Sequence, residues 1–396
     1  MFAIKRQLKL NNQERQKMVQ HAGFYRLVYN YGVNLFWSSV KEGIKASDSK
    51  RLQAIKKCLT NVTKKRSDFS WMKKLSSKVY QSAFQNLQTA FSRWRKGTSK
   101  APVYKRRKDR RSFTVYNSNG IVLIPAGRTI KIPTLGTFRL QEALTEGYIT
   151  QTFTLSEAGG DWFVSFSVDA ERIPPITHSV TEPIGIDLGV TCFATISDGT
   201  EIVAPKPLKR AITKLRKLQY HNRNKQFGDR RSGTWASNNA KKYFRKLSRL
   251  HRSVANERKD FLHKTTTSIC QKYAHIRIED LNVAGMIANR KLATAISDLG
   301  FYEFRRQLEY KAPSFGCKLD IIDCWFPSSK QCRKCELLND GLTLRNRTFA
   351  CPSCGHTEPR DLHASINLAN APDEKSRRVG SIRTNACGQV VADHLG

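Results

Sequence analysis

Three carboxylates stand at chemically suggestive places: Asp187 in TEPIGIDLGVT (181–191), Glu279 in IRIEDL (276–281) and Asp361 in TEPRDLHASINLA (357–369). Asp187 lies among Ile184, Ile186, Leu188 and Val190, with Gly185 and Gly189 on either side. A charge in an apolar strand is costly unless it is paired or bound to a metal. If the three acids converge, their repulsion requires cations. Mg²⁺ suits an all-oxygen set because it keeps some waters and accepts phosphate oxygens as further ligands. Two such ions would activate water and stabilise the leaving oxygen of a phosphodiester. Each acid also has an ordinary reading. Asp near a strand end often makes a turn, Asp280 competes with its neighbour Glu279, and Asp361 stands where a helix N-cap would. The ordered set carries more weight than its members.

A second constellation is independent of the first. Cys332-x-x-Cys335 and Cys351-x-x-Cys354 are two close pairs separated by 15 residues. That spacing fits one tetrahedral, four-thiolate zinc, with each pair on a tight knuckle. Four thiolates close the coordination shell, which makes the zinc structural and leaves His356 outside it. Cys58, Cys192, Cys270, Cys317, Cys324 and Cys387 are scattered singly and read as reduced thiols.

The elements that would position these groups are written in the hydrophobic pattern. Residues 2–10 read as a basic strand, and a helical region follows from 11 to about 97. Phe24, Val28, Tyr31 and Leu35 fall on one helical face, as do Tyr80, Phe84, Leu87 and Phe91. Core packing is the preferred reading of both stripes. Gly97 and Pro102 end the region, and a basic run follows: Lys105, Arg106, Arg107 and Lys108 are candidate phosphate contacts. From 112 to 180 the period is two, as in Trp162, Val164, Phe166 and Val168, which points to a small β-barrel that takes the helical region as an insertion. Beyond 181 the pattern is α/β: strands at 184–190, 193–197 and 201–204, a basic helical region over 206–274, strands at 275–281 and 318–326, and a helix from Asp361.

The chain has 396 residues, enough for two or three domains, and 69 Lys and Arg against 32 Asp and Glu give it a formal charge of +37. Such an excess calls for a polyanionic partner, DNA or RNA. No apolar run is long enough to span a bilayer, so no membrane partner is expected. The opening MFAIKRQLKL lacks a signal peptide's apolar stretch and cleavage site, so a cytoplasmic location, the prokaryotic cytosol and nucleoid, is expected.

The order GIDLG, SRLHRSVANERKDFLHK, IEDLNV, PSSKQCRKC…CPSCG and RDLHASINL, with YRLVYNYGVNLF near the start, resembles the transposon-encoded TnpB family, relatives of the compact type V CRISPR nucleases. The resemblance covers nearly all of the chain and is most specific from about 183 to 370. It implies a multidomain α+β protein: a wedge-like β-barrel (1–10 and 101–180) with a helical recognition insert (11–100), then a RuvC, RNase H-like domain (181–326 and 358–370). A four-cysteine zinc ribbon (327–357) interrupts that domain, and a flexible basic tail (371–396) follows it. The implied activity is RNA-guided DNA cleavage, with Asp187, Glu279 and Asp361 as catalytic Mg²⁺ ligands. The implied partners are a guide RNA and double-stranded target DNA, bound by a monomer. Two rival readings share much of this pattern: a transposase or resolvase acting on element ends, and a catalytically silent RNA-guided DNA-binding regulator.

Two departures from the family pattern stand out. The last motif usually reads Asp-Arg-Asp-x-Asn, but here Pro359 replaces the first Asp and His363 the Asn. A neutral His363 near the metal site would hydrogen-bond as an asparagine does, a protonated one would disfavour metal there, and a surface residue with no role is the alternative. A Gly often follows the second cysteine, where this chain has Glu336, so a strained knuckle is expected.

Overall fold

The computed structural model describes residues 2–106, 111–168, 177–228, 233–289, 291–343, 346–378, 383–384 and 390–391. The chain divides into two compact units, Met1–Glu171 and Arg172–Gly396.

The first unit opens with β1 (Phe2–Lys9) and helix α1 (Asn12–Lys41), which starts on a capping box formed by Asn11 and Glu14. Helices α2 (Asp48–Asn61) and α3 (Ser77–Arg95) follow. The remaining strands are β2 (Ser112–Tyr116), β3 (Val122–Ile124), β4 (Gly127–Ile132), β5 (Gly136–Leu144), β6 (Tyr148–Thr150), β7 (Thr152–Ala158) and β8 (Asp161–Val168). Six of the strands form an antiparallel sheet in the order β2-β7-β8-β1-β5-β4, and β3 pairs separately with β6. The helices therefore leave the sheet after its first strand and return to it, as expected of an insertion. No ladder joins β2 to β4 among the described residues, so backbone pairing does not close this sheet into a ring.

The expected aromatic stripes pack inward. Phe24, Val28, Tyr80, Phe84, Leu87 and Phe91 are buried in one core with the sheet, while Tyr31 and Leu35 lie at its margin. Phe36 stacks on Phe91 with ring centroids 3.7 Å apart. These rings serve packing rather than base contact.

The second unit begins with an antiparallel meander, β9 (Val180–Asp187), β10 (Ala194–Ile196) and β11 (Glu201–Ile202). Helices α4 (Pro207–His221) and α5 (Asn238–Lys272) lead to β12 (Tyr273–Glu279). Helices α6 (Val283–Ala288), α7 (Ala293–Leu299) and α8 (Phe301–Phe315) lead to β13 (Lys318–Ile322). A small hairpin, β14 (Thr348–Ala350) and β15 (Thr357–Pro359), precedes α9 (Arg360–Ala369), and β16 (Ser376–Arg378) completes the sheet.

The sheet runs β11-β10-β9-β12-β13-β16, with β9, β12 and β13 mutually parallel. Alternation divides its faces. Ile184, Ile186, Ile276, Ile278, Leu319 and Ile321 point to one side, where they pack with α5, α8 and the Phe193, Phe301 and Phe304 ring cluster. The other side carries Gly185, Arg277 and Asp320 in one row and Asp187, Glu279 and Ile322 in the next. Helix α9 lies on this second side. A Cβ on Gly185 would sit 1.9 Å from the Ser365 carbonyl oxygen and 2.5 Å from the Ala369 nitrogen, so only glycine admits the helix this close.

One expectation is corrected here. Within the segment expected to be a loose tail from 371, residues 373–378 form a 3₁₀ turn and β16. The free edge of β13 supplies backbone partners, and Arg277 holds Asp373 at 2.7 Å.

Candidate active site and zinc centre

Strand register places two of the three acids side by side. Ile278 pairs with Ile186 in a parallel ladder, so the following residues, Glu279 and Asp187, end adjacent strands on one face. Asp361 is the second residue of α9, the helix seated on that face. One helical turn separates it from Ser365, which touches Gly185. The competitor Asp280 points elsewhere and pairs with Arg305. Asp187 is half-buried at the strand end. Burial, then the negative charges of Asp361 and Glu279, push its carboxyl up to about 7, against Arg360 and a backbone N–H that favour the charged form. Burial, with Asp280 second, raises Glu279. The cluster therefore resists full ionisation.

The four cysteines converge. Their sulfurs all lie within 4.8 Å of one another, with Cys332 Sγ 3.6 Å from Cys354 Sγ and Cys335 Sγ 3.5 Å from Cys351 Sγ. Tetrahedral zinc with bonds near 2.3 Å needs sulfur–sulfur edges of about 3.8 Å, so the donor set fits. The knuckles match: the Glu336 N–H donates to the Cys332 carbonyl, and the Gly355 N–H to the Cys351 carbonyl. Glu336 adopts φ 60° where the other knuckle has Gly355 at φ 67°, which bears out the expected strain.

His363 is the main correction. It is fully buried, but against the cysteine element rather than beside the acids. It stacks on Phe349 at 3.8 Å, lies 2.5 Å from Glu358 Oε1 through Nδ1, and contacts the Gln331 carbonyl through Nε2 at 2.7 Å. Glu358 Oε1 also accepts from Arg333 Nε at 2.8 Å and lies 2.9 Å from His356 Nε2. Against the burial that would raise it, Arg333, His363 and His356 hold the Glu358 carboxyl at about 2. His356, Glu358 and His363 also fall within 4.8 Å of one another, and the Arg333 guanidinium pairs with the Glu358 carboxylate of that group. Among the described residues the three acids do not form so tight a set.

Of the basic run, Arg107 and Lys108 lie outside the described residues. Arg106 is exposed. Lys105 is exposed but its backbone is tied to Asn30, and its ammonium lies 4.6 Å from the Tyr29 ring centroid. Sequence reading missed Arg277. It donates to the carbonyls of Ala369 (3.0 Å) and Ala371 (2.6 Å) at the end of α9 and pairs with buried Asp320. The alternation IRI was the available signal, because it put a cation on the same face as Glu279.

Comparison with known proteins agrees with this architecture. Residues 165–290 match a family model described as "Probable transposase" (OrfB_IS605), and residues 301–368 match the Cas12f1-like TNB domain. A Streptomyces pristinaespiralis protein named "Putative RNA-guided DNA endonuclease" is 34% identical over 83% of this chain and 77% of its own length. The similarly named InsQ of Escherichia coli K12 is 28% identical over 93% of this chain and 92% of its own. A solved structure, of a Cas12f1–sgRNA–target DNA complex, superposes with a TM-score of 0.55 at 16% identity, covering 90% of this chain and 82% of that one; it supports the fold alone. On the strength of these matches, the chain belongs to the TnpB family of RNA-guided DNA endonucleases.

Proposed function

We propose that this protein, bound to a guide RNA, cuts target DNA by Mg²⁺-dependent hydrolysis at Asp187, Glu279 and Asp361. The observation that carries the reading is the register of β9 and β12, which ends two acids side by side beneath the N-terminus of α9. In this reading the domain is RuvC-like. Mg²⁺ would supply an activated water and neutralise charge on the phosphate. The acids would hold the cations, two in this reading, as in other metal-dependent phosphodiester hydrolysis. The Asp361 carboxylate sits in the first turn of α9, where the helix dipole favours negative charge. The four-cysteine element holds one structural zinc. The β-sheet and helices of the first unit act as wedge and recognition parts and read a short duplex motif, while guide pairing reads the rest. Arg106 and its basic neighbours contact phosphates. The complex is a protein monomer with its RNA, working in the prokaryotic cytoplasm.

The test is cleavage by protein purified with its own RNA. Asp187→Ala should abolish Mg²⁺-dependent cutting while target binding persists. Cutting that survives the substitution would remove Asp187 from the mechanism. Cutting of element ends that needs no RNA would favour the transposase reading.

A further inference from the structure

Trp325 has no packing role that explains it. It follows β13 and is 88% exposed, the most exposed large apolar side chain among the described residues. Leaving an indole in water forgoes the burial that usually retains it. Its backbone, however, is held firmly. The Trp325 N–H donates to Asp323 Oδ1 at 2.8 Å, and the Phe326 N–H to the Asp323 carbonyl at 3.0 Å. Phe326 packs beneath, against Ile322, Leu368 and Ala371, which joins the loop to α9. The ring therefore projects from an anchored turn.

Its position is set by the same register as the acids. Ile322 pairs with Glu279, which ends the strand beside Asp187. Trp325 lies three residues further along, at the carboxyl end of the sheet. Neighbouring strands are about 4.8 Å apart and a residue spans at most about 3.6 Å, so the Trp325 and Glu279 Cα atoms lie within about 16 Å. That is a few nucleotides of one strand, which are about 3.4 Å apart when stacked.

We propose that Trp325 is a base-stacking platform that holds an unpaired base of the DNA strand as it enters the acid site. Every base offers a π-face, so such a contact tolerates any sequence, as a guided nuclease requires. The inference deepens the nuclease reading and rests on it for the identity of the strand.

Two measurements on the full-length protein test it. In the first, a short oligothymidylate is titrated without Mg²⁺ while tryptophan fluorescence is followed. Wild type should show a quenched, solvent-exposed component that Trp325→Ala lacks. An identical quenched fraction in that variant overturns the proposal. In the second, cleavage by the RNA complex should fall about five- to hundredfold in Trp325→Ala, as expected for one lost stacked base. Binding of the target duplex should be unchanged, and Trp325→Phe should restore most of the rate. Equal cleavage by wild type and Trp325→Ala also overturns it. If wild type does not cleave but its quenching depends on Trp325, the nuclease reading fails and the stacking site stands.

Discussion

Replacing Arg277 by Met tests whether the polar row under α9 holds that helix in place. The guanidinium is nearly buried and satisfies two carbonyls at the end of α9, at 3.0 and 2.6 Å, where the helix dipole is negative. It also faces Asp320, which is fully buried. Against burial, which would raise it, His275 and Lys318 help hold the Asp320 carboxyl below the usual carboxylate range, so it is charged at neutral pH. Removing one partner of a buried ion pair costs about 3–5 kcal/mol, because the other charge stays buried. His275 at 2.7 Å and Lys318 at 3.4 Å remain, which favours the lower figure, about 3 kcal/mol. For a unit of this size, Arg172–Gly396, each kcal/mol moves the melting temperature by about 2–4 °C. Thermal unfolding should therefore show a fall of about 6–12 °C. Adding Asp320→Asn should recover part of the loss, since the stranded charge is gone. A single variant that melts with wild type, or a double variant that melts lower still, would refute the argument.

Three further outcomes are expected. Glu336→Gly relieves a left-handed residue at roughly 1–2 kcal/mol and returns part of that as chain entropy, so denaturant unfolding should show a net gain of about 0.5–1 kcal/mol. Metal analysis should find one zinc in wild type and none in Cys332→Ser, which should also destabilise the second unit, because structural zinc contributes folding energy. Without Mg²⁺, the raised Asp187 carboxyl makes the folded state bind more protons than the unfolded one between about pH 4 and pH 7, so stability falls as pH rises through that window. Asp187→Asn should flatten that fall in melting curves and melt higher than wild type above pH 7, by up to about 4 kcal/mol and less where water reaches the carboxyl; added Mg²⁺ should remove the advantage.

The strands around the site were legible because each alternates, up to Ile322, which ends β13 on the α9 side. In IGID, IRIE and LDII the apolar residues at alternate positions face α5 and α8, and the glycine, charges and acids between them face α9. The four thiols were legible from spacing alone, since two knuckles and one ion leave little freedom. What could not be read was pairing across distance. Nothing local to Arg277 says that its partners are Asp320 and two carbonyls about ninety residues later. The edge of β13 likewise takes up residues 376–378, a pairing that polar, charged residues do not announce. The residues alone left Asp280 competing with Glu279, which the resemblance favoured; register puts Glu279 on the face of Asp187, while Asp280 pairs with Arg305.

The altered last motif shows how helical spacing decides a residue's role. Asp361 and His363 are two positions apart, about 200° around a helix with 3.6 residues per turn. They therefore cannot serve the same face. Asp361 shares its side with Ser365 and Leu368, which press on Gly185 beside the acids. His363 shares its side with Asn367, and both reach the Gln331 carbonyl in the cysteine element. Pro359 ends β15, and Glu358, one residue earlier, pairs across the hairpin with Phe349 and turns its carboxylate toward His356, His363 and Arg333. The acid that the motif lacks at 359 is thus not replaced beside Asp187 and Glu279. Glu358 and His363 instead fasten α9 to the four-cysteine element, where Arg333 pairs with the Glu358 carboxylate. The charges that act on Asp187 are those of Asp361, Glu279 and Arg360. His363 thus acts at the four-cysteine element and is not among the charges that act on Asp187.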